Sequence, residues 1–471
     1  MTFLNLGRPA AAGLLAASLV ALLGGCASLP PPDSSPTSAP IARLAPSLDP
    51  SMLGRADAAR VEALLAAPLS MDGAVELALR QSPALAALLT QARADQSQAR
   101  VEAAPPALWL GFERLSGGGE LAISRTLSLG LFELLSLPAR QREAAPRQEA
   151  ARLAAATAVV DSITRVRQAW VEAVAAQQHL QQAERALVAA EAGAELARRL
   201  QAAGHIGALN GARQQRFEPE ARAQLAAARA SQVRQREALV RALGLSDAQA
   251  QRLALPTQLP ALPAEPLALA ALDPVAAEAR LDLRLAQTAL DAAAAAEGRE
   301  PVGPLVDLEL GARSETSWDG STRQATRGVE LGARLDLFGA SARREARSAR
   351  SAAAWQQREA VRASAASQLR EAHAAWLAAW TIARQHHDLL LPLRRSVAEQ
   401  TLLHYNGMLI GLPELLADAR AQAQAVQAAV AADAQFWRAD AALQAQLLGR
   451  PSEPLALSTS AAPDSPSGAG H

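Results

Sequence analysis

The sequence of 471 residues is poor in several residue types that mark particular classes of protein. It has a single cysteine, which excludes a disulfide framework and a cysteine-rich metal site. Its formal net charge is zero, so it has no basic surplus for nucleic-acid binding. Lysine is absent and every basic residue is arginine, which we attribute to GC-rich coding bias. Aromatic residues make up only 3% of an Ala-, Leu- and Arg-rich chain, which favours long helices over a compact mixed core.

Sequence motifs for catalysis are also missing. We find no nucleophile motif, phosphate-binding loop or HExxH zinc site, so we predict no enzyme activity, no cofactor and no metal. The glycine-rich run 116–119 lacks a following lysine and helix start, and it is interpreted as a strand turn. His386, His387 and His404 lie on one predicted long helix without a cysteine or acidic cluster. They are interpreted as solvated side chains on a helix face.

The N-terminus has the form of a lipoprotein signal. Arg8 precedes an apolar run over residues 10–23, which is shorter than a comfortable membrane-spanning helix. Small residues then lead to Cys26, the pattern of a lipobox in which this cysteine becomes the palmitate-bearing, lipidated N-terminus. We predict a signal peptide over residues 1–25 and a tether over 26–70. By analogy with bacterial lipoproteins, Ala27 after the cysteine favours the outer membrane.

The rest of the chain contains one plan twice, about 203 residues apart. Each copy has a helix, a hairpin of alternating residues, a very long helix, a glycine turn and a returning helix. We predict a first repeat over 71–245, a Pro-rich linker over 246–273, a second repeat over 274–449 and a disordered tail over 450–471. The matched points are Arg140–Ala144 with Arg343–Ala346, Gly204 with Gly407, and Leu243–Gly244 with Leu448–Gly449.

The helical segments are set by proline, glycine and apolar spacing. One helix is predicted from Met71 to about Ala104, before Pro105 and Pro106. From about Pro138 to Ala203 nothing interrupts a helix of roughly 100 Å. In the second repeat a helix is predicted from about Pro274 to Glu297. A second long helix follows it, and its predicted length is again roughly 100 Å. A coiled-coil-like seam marks the first long helix at Leu153, Val160, Ile163, Val166, Trp170 and Val174.

The two hairpins, over residues 107–131 and 304–338, alternate apolar and polar side chains along four strands of about ten residues. This length and pattern are typical of membrane-spanning strands. A soluble hairpin with one solvated face is the alternative, but it leaves unpaired strand edges without a covering core. Four strands cannot close a barrel alone, whereas three copies of the chain supply twelve. Charged residues on the polar face would then line a lumen: Asp307, Glu309, Arg313, Glu330, Arg334 and Asp336.

Residues 70–450 resemble the TolC family of outer-membrane efflux channels. The most specific part is Tyr405-Asn-Gly-Met-Leu-Ile-Gly-Leu-Pro-Glu-Leu-Leu416, which is similar to the family's aromatic-x-x-Gly turn and following acidic-Leu-Leu segment. Leu335-Asp-Leu-Phe-Gly339 is similar to the family's step from strand to helix, with Asp336 replacing the usual proline. The first-half turn from Ala203 to Asn210 is a weaker match without the aromatic residue.

The resemblance implies a fold and a function. The expected fold is mainly helical with a small antiparallel β part: a duplicated α-helical barrel and four transmembrane strands per chain, closing a twelve-stranded barrel in a homotrimer. The expected function is passive exit through a tripartite efflux or secretion system, with a periplasmic adaptor protein and an inner-membrane pump as partners. The alternative is a non-pore periplasmic coiled-coil lipoprotein acting as a scaffold or adaptor. The expected docking residues at the helical tips, some of which could simply cap helices, are Gly204, Gly207, Leu209, Tyr405, Gly407, Gly411 and Leu412.

Overall fold

The computed structural model describes residues 35–46, 49, 51, 53–54, 57–118, 120–272, 280–297, 306–319, 321–335 and 339–450. The predicted signal peptide, the predicted lipidation site Cys26 and residues 451–471 lie outside this set. The structure is 73% helical and contains a small four-stranded antiparallel sheet. The predicted fold class is therefore confirmed at the level of one chain.

Helices and strands follow the duplicated plan. The elements before residue 253 are α1 (Ser35–Leu44), α2 (Ala58–Leu65), α3 (Met71–Gln81), α4 (Pro83–Glu102), β1 (Leu108–Gly117), β2 (Glu120–Gly130), α5 (Leu131–Leu135), α6 (Leu137–Ala202), α7 (Ala208–Gln215), α8 (Phe217–Leu243) and α9 (Asp247–Arg252). Those after it are a 3-10 turn (Leu269–Ala271), α10 (Leu281–Glu297), β3 (Val306–Asp319), β4 (Thr322–Leu335), α11 (Ala340–Gln385), a π-helical turn (His386–Leu390), α12 (Leu391–Asn406) and α13 (Leu412–Leu447).

The helix predicted from Met71 to about Ala104 is two helices, so that prediction is wrong at Ser82. Ser82 is extended, with φ −63° and ψ 114°, and it ends α3 while capping α4. Pro83 has no N–H to donate, and its ring disfavours a helical conformation at the preceding residue. The Ser–Pro pair is the sequence signal for this break.

The long helix α6 has 66 residues, which at 1.5 Å per residue gives about 100 Å. It continues through Pro146, and within the described part of the chain no helix is both long and apolar enough to span a membrane. The predicted seam is confirmed, because α6 buries those side chains against its neighbours. The seam residues are at most 1% exposed: Leu153, Val160, Ile163, Val166, Trp170 and Val174.

The segment over 26–70 is more than a tether where the structure describes it. Helices α1 and α2 bury Ile41, Leu44, Val61 and Leu65, each at most 4% exposed. The Arg167 guanidinium on α6 also donates a hydrogen bond to the Leu44 carbonyl oxygen. The apolar residues are three and four positions apart, the spacing that places them on one helix face. This part of the N-terminal segment is therefore docked on the helical body.

Each repeat ends on a glycine packed against the start of that repeat's helix before the hairpin. Gly244 and Gly449 have φ of +70° and +75°, the left-handed conformation that ends helices. A Cβ added at Gly244 would lie 2.4 Å from Pro83 Cδ, and one added at Gly449 would lie 2.1 Å from Asp282 Oδ1. Glycine is required twice, for the backbone angle and for the space. The predicted match between these helix ends is confirmed.

The Pro-rich segment between the repeats is a strap on the helices. It begins with α9, whose Ser246 and Gln249 form a capping box. The indole N–H of Trp380 then donates to the Pro263 carbonyl at 3.0 Å, and that of Trp437 donates to the Pro260 carbonyl at 3.1 Å. The predicted linker is thus ordered in its described part. Prolines have no N–H to donate, and the indole N–H groups of two tryptophans supply hydrogen bonds to its carbonyl oxygens.

The end of the second repeat also differs from its prediction. Arg450, predicted as the first residue of a disordered tail, forms a bidentate ion pair with Asp161 on α6. The Nε–Oδ1 and Nη2–Oδ2 distances are 2.8 and 2.6 Å. This pairing holds the chain against the first repeat immediately after α13.

The sheet lies at one end of the long helices, and its strand order is β1-β2-β3-β4. The strands lie within the predicted hairpins. Leu108 pairs with Leu129, Leu129 with Leu310, and Leu310 with Leu331, so one row of leucines crosses all four strands. Because side chains alternate along a strand, this register fixes one face as apolar and the other as polar. Among the described residues, strands β1 and β4 each have one unpaired edge.

The carboxylate of Asp440 lies between the long helices of the two repeats. Asp440 is on α13 and accepts a hydrogen bond of 3.0 Å from the Trp376 indole on α11. Burial raises the pKa of Asp440, while the hydrogen bond from Trp376 and the charge of Arg167 on α6 act in the opposite direction. The folded chain therefore holds a proton on Asp440 more tightly than the unfolded chain does.

The wild-type protein is expected to lose stability relative to the Asp440→Asn variant as pH rises above about 4. In that range the unfolded chain has released the Asp440 proton and the folded chain still binds it, so the free energy of unfolding falls with pH until the raised pKa is passed. A tenfold difference in proton affinity between the two states corresponds to about 1.4 kcal/mol. Urea unfolding of both proteins between pH 4 and 8 measures the difference, and parallel stability curves would contradict the prediction.

Candidate functional site

The first helical tip is a tight glycine turn between α6 and α7. Gly204 has φ +76°, and the His205 N–H donates to the Leu200 carbonyl at 2.9 Å, the six-residue bond of a Schellman cap. Gly207 is extended and immediately precedes α7. These two glycines therefore end one helix and begin the next, as their spacing predicts.

The second tip, between α12 and α13, corrects the predicted match of Gly407 with Gly204. Gly407 has φ −77°, and the left-handed residue is Met408, with φ +59°. The Leu409 N–H donates to the His404 carbonyl at 2.9 Å, so the same cap forms one residue later. Gly411 precedes α13 as Gly207 precedes α7. The turns are therefore equivalent, but a methionine replaces the capping glycine.

The Met408→Gly variant is expected to stabilise the second turn by about 1 kcal/mol, because a left-handed conformation is costly for residues with a Cβ. The amide proton of Leu409 should then exchange with solvent about fivefold more slowly, measured by hydrogen–deuterium exchange. Gly407→Ala is the matched control, since its φ is allowed for alanine and little change is expected. Equal effects of the two substitutions would contradict the assignment.

The tips present apolar side chains to solvent in the single chain. Leu209 is 65% exposed, Met408 92% and Leu409 74%, whereas Tyr405 and Leu412 are partly buried. Met408 and Leu409 are not among the tip residues predicted from the sequence. Their signal was their place inside the turn motif, where two large apolar residues have no helical face to join.

A small apolar groove near the tips is lined by helices from both repeats. It is formed by α6, α8 and α13, with Gly193 close enough that an added Cβ would lie 3.2 Å from Leu416 Cδ1. The Arg420 guanidinium carbon lies 3.4 Å from the centroid of the Phe217 ring, and its Nε donates to the Leu416 carbonyl at 2.8 Å. Burial lowers the pKa of Arg420. This cation–π contact connects the first returning helix to the second.

The polar face of the sheet is concave. Its lining includes Ser124, Thr126, Glu309, Arg313 and Glu330, all on the face opposite the leucine row. The Ser128 hydroxyl donates to Glu309 Oε1 at 2.5 Å, and Arg313 pairs with Glu315 at 3.5 Å. Three of the predicted lumen residues therefore share one polar surface.

The other predicted lumen residues are less defined. Asp307 and Arg334 are directly opposite each other in the register of β3 and β4. Asp336 lies outside the described residues, as does Cys26. The assignment of Asp307, Arg334 and Asp336 to a lumen stays a prediction.

The apolar face of the sheet is convex and open to solvent in the single chain. Leu110 is 74% exposed, Phe112 68%, Val329 79% and Leu331 65%. An exposed apolar surface of this extent marks a site of contact with lipid or protein. This face is opposite the one that carries the carboxylates, so the sheet has one apolar face and one polar face.

His386, His387 and His404 do not form one cluster. His387 lies on the π-helical turn, and its Nε2 is 2.9 Å from Asp433 Oδ1 on α13. Burial lowers the pKa of His386 and raises that of Asp433. The prediction that His387 is simply solvated is therefore incomplete, because its contact with Asp433 connects the π-helical turn to α13. In the described part of the chain no His, Cys, Asp and Glu side chains group as a metal site.

Several solved structures are similar to this chain in fold. A membrane protein from Pseudomonas aeruginosa is 21% identical, with a TM-score of 0.65, and the match covers 85% of this chain and 92% of that one. The outer-membrane protein VceC of Vibrio cholerae is 17% identical, with a TM-score of 0.62 and coverage of 81% and 96%. The Campylobacter jejuni CmeC outer-membrane channel is 14% identical, with a TM-score of 0.66 and coverage of 81% and 86%.

These likenesses extend over almost the whole length of each relative. No protein-family model and no curated protein sequence matches the chain. At such low identity the shared feature is the fold. The chain has the fold of TolC-like outer-membrane channels, as its turn motif and duplicated plan predict.

Proposed function

We propose that three copies of this chain form an outer-membrane channel, the exit duct of a tripartite efflux or secretion system. The sheet would lie in the outer membrane, and the helices would continue the duct through the periplasm. Transport would be passive, because the energy would come from an inner-membrane pump. No catalytic residue takes part in this function.

One observation carries the proposal: the sheet has an exposed apolar convex face, a charged concave face and two unpaired edges. A four-stranded sheet with both edges and its apolar face in water would be prone to associate with other chains or with lipid. Edge pairing of β4 with β1 of the next copy would satisfy the backbone of both strands. Three copies would close twelve strands, with leucines toward lipid and Glu309, Arg313 and Glu330 toward the lumen.

The long helices support the periplasmic part of the proposal. A helix of about 100 Å is stable only when its apolar stripe is packed on neighbours. The seam of α6 is buried within the chain, while other helices keep large exposed side chains such as Leu390, Leu393 and Leu403. These would be covered by neighbouring copies in a closed helical barrel.

The tips are the proposed docking and gating region. Leu209, Met408 and Leu409 offer exposed apolar side chains to a periplasmic adaptor protein, together with the turns around Gly204, Gly207, Gly407 and Gly411. In the closed state, the contact of Arg420 with Phe217 would hold the two hairpins of one copy together. Opening would require the tips to move apart.

The predicted N-terminal lipoprotein signal supports the same location. Cys26 would be lipidated after removal of residues 1–25, and the chain from α1 onward would dock on the helical body. The lipid anchor would then lie close to the barrel. This supplements the barrel's own attachment to the outer membrane.

Labelling in intact cells tests the topology. Ser321 is exposed in the turn between β3 and β4, and Ala203 is exposed at the opposite end of the helices. Single Ser321→Cys and Ala203→Cys variants, each retaining Cys26, are treated with a membrane-impermeant maleimide. We expect labelling at position 321 only, with position 203 reacting after the outer membrane is permeabilised. Purified wild-type protein should form trimers that conduct ions in planar bilayers.

The same experiment separates the channel from the scaffold or adaptor alternative. A lipid-anchored periplasmic scaffold would leave both positions unlabelled until permeabilisation, and its Cys26→Ser variant would wash off the membrane. A channel would stay embedded after that substitution, because its strands hold it. Protection of position 321 in intact cells, with no trimer and no conductance, would overturn the proposal.

A further inference from the structure

The described carboxylates of the sheet lie on one face only, and arginines without carboxylates beside them lie on the other. On the convex face, Arg125 and Arg327 lie in one register row with Phe112 and Ser314. Arg114 lies one row closer to the hairpin turns, and Arg323 lies one row beyond that. The carboxylates that the structure describes on these strands all lie on the concave face. They are Glu113, Glu120, Glu309, Glu315, Asp319 and Glu330.

The four convex arginines, Arg114, Arg125, Arg323 and Arg327, are here named the arginine band. Among the described residues none of them forms an ion pair, whereas Arg313 on the concave face pairs with Glu315. Arg125, Arg323 and Arg327 are exposed, and the Arg323 guanidinium lies 6.0 Å from the centroid of Trp318. The described part of the chain therefore leaves the positive charge of this surface without carboxylate partners.

The position of the band fits a membrane boundary. Ser314, in the row of Arg125 and Arg327, lies eight positions along β3 from Val306 at the helix end of that strand. At about 3.4 Å per residue this is ~27 Å along the strand, or about 20 Å along a barrel axis when strands tilt by 35–45°. The apolar face of membrane barrels is about 25 Å tall. The arginine row would thus lie about 5 Å inside the outer edge of that apolar face, a distance that the long arginine side chains can span to reach the headgroups.

The cost of charge supports the same position. An arginine on the lipid face of a barrel costs about 2–4 kcal/mol at the bilayer midplane and about 0–1 near the interface. Trp318, beside Arg323, is the residue type that favours the interface. The band lies toward the hairpin turns, so with the helices in the periplasm it would face the headgroups of the outer leaflet.

We propose that the arginine band binds the phosphate groups of anionic lipids in the outer leaflet of the outer membrane. The proposal rests on the membrane barrel proposed above. Guanidinium groups match phosphate with paired hydrogen bonds and remain charged at any physiological pH. Arg125 and Arg327, two strands apart in one row, would contact one headgroup region, and Arg114 and Arg323 would extend it toward the turns.

The test uses the purified full-length trimer in detergent micelles containing diphosphoryl lipid A. We compare wild type with Arg125→Gln/Arg327→Gln and with Arg313→Gln, a matched control on the opposite face of the same sheet. Lipid retained per trimer is measured by mass spectrometry after gel filtration. We expect the double variant to bind the lipid at least tenfold more weakly and the control to bind it as wild type does. Arg125→Lys/Arg327→Lys, which keeps the charges but loses the fork geometry, should fall between them.

Phosphate dependence identifies the recognised group. Dephosphorylated lipid A should bind wild type as weakly as diphosphoryl lipid A binds the double variant. Millimolar sodium phosphate should not replace the lipid, because it lacks the acyl chains that contact the leucine rows. Equal binding of both lipids, or full competition by sodium phosphate, would overturn the proposal.

The outcomes separate the two proposals. If wild type forms conducting trimers but binds diphosphoryl lipid A no better than the double variant does, the lipid proposal is wrong and the channel stands. If wild type forms neither trimers nor channels, the channel proposal is wrong and the lipid proposal falls with it. Gel filtration and conductance of the double variant show whether it remains assembled.

Discussion

The Trp170→Ala variant is expected to lower the free energy of unfolding by about 4 kcal/mol. Trp170 lies in the seam of α6 and is 1% exposed. Its indole N–H donates to the Leu69 carbonyl at 2.8 Å, and the Leu69 N–H donates to the Ala254 carbonyl at 2.8 Å. One side chain therefore fills the core and also connects α6 to the loop before α3 and to the strap. Alanine leaves a cavity and an unpaired carbonyl.

Two variants separate these contributions. Trp170→Phe keeps most of the ring volume but removes the donor, so a smaller loss of about 1–3 kcal/mol is expected. Trp355→Ala removes the same side chain from a position that is 49% exposed in the single chain. Urea unfolding at one fixed protomer concentration measures all three, because the stability of an oligomer depends on concentration. Similar losses for Trp170→Ala and Trp355→Ala would refute the role given to Trp170.

Removing the carboxylate of Asp282 is expected to cost about 3–5 kcal/mol, because it leaves a buried arginine without its counter-charge. The Arg280 side chain is 3% exposed, and its Nη2 and Nε lie 2.6 and 3.0 Å from the two Asp282 oxygens. Arg280 also donates to the Ala365 carbonyl and to Gln368 on α11. The pair holds the start of α10 against α11 and against the end of α13 at Gly449.

The Asp282→Ala variant has a control on the same helix. Asp291→Ala removes an exposed carboxylate whose hydrogen-bond donor among the described residues is Gln287, and a change below about 0.5 kcal/mol is expected. The Arg280→Met/Asp282→Ala double variant should recover part of the lost stability, since it removes the uncompensated charge as well. A double variant less stable than Asp282→Ala alone would show that the charge is not the cause.

Local patterns in the sequence were enough for the elements that depend on neighbouring residues. The seam of α6 follows from helical spacing, the hairpins follow from alternation, and Gly244 and Gly449 follow from the need for a left-handed residue after a helix. The break at Ser82–Pro83 was also readable, since proline acts on the residue before it. In each case the cause lies within a few residues of the effect.

Other features depended on residues far apart in the chain. The strap is ordered because Trp380 and Trp437, more than a hundred residues away, donate to its carbonyls. The docking of α1 and the pairing of Arg450 with Asp161 depend in the same way on the surface of α6.

The sequence by itself determined the duplicated plan, the helix lengths and the two-faced strands, because periodicity, proline and glycine act over short distances. The tertiary structure decided which strands are neighbours, and thereby placed the carboxylates on one face of the sheet and Arg114, Arg125, Arg323 and Arg327 on the other. It also brought Arg420 onto Phe217 and placed Asp440 between helices of different repeats. These contacts join residues hundreds of positions apart or depend on strand register, which only the packing of the whole chain fixes.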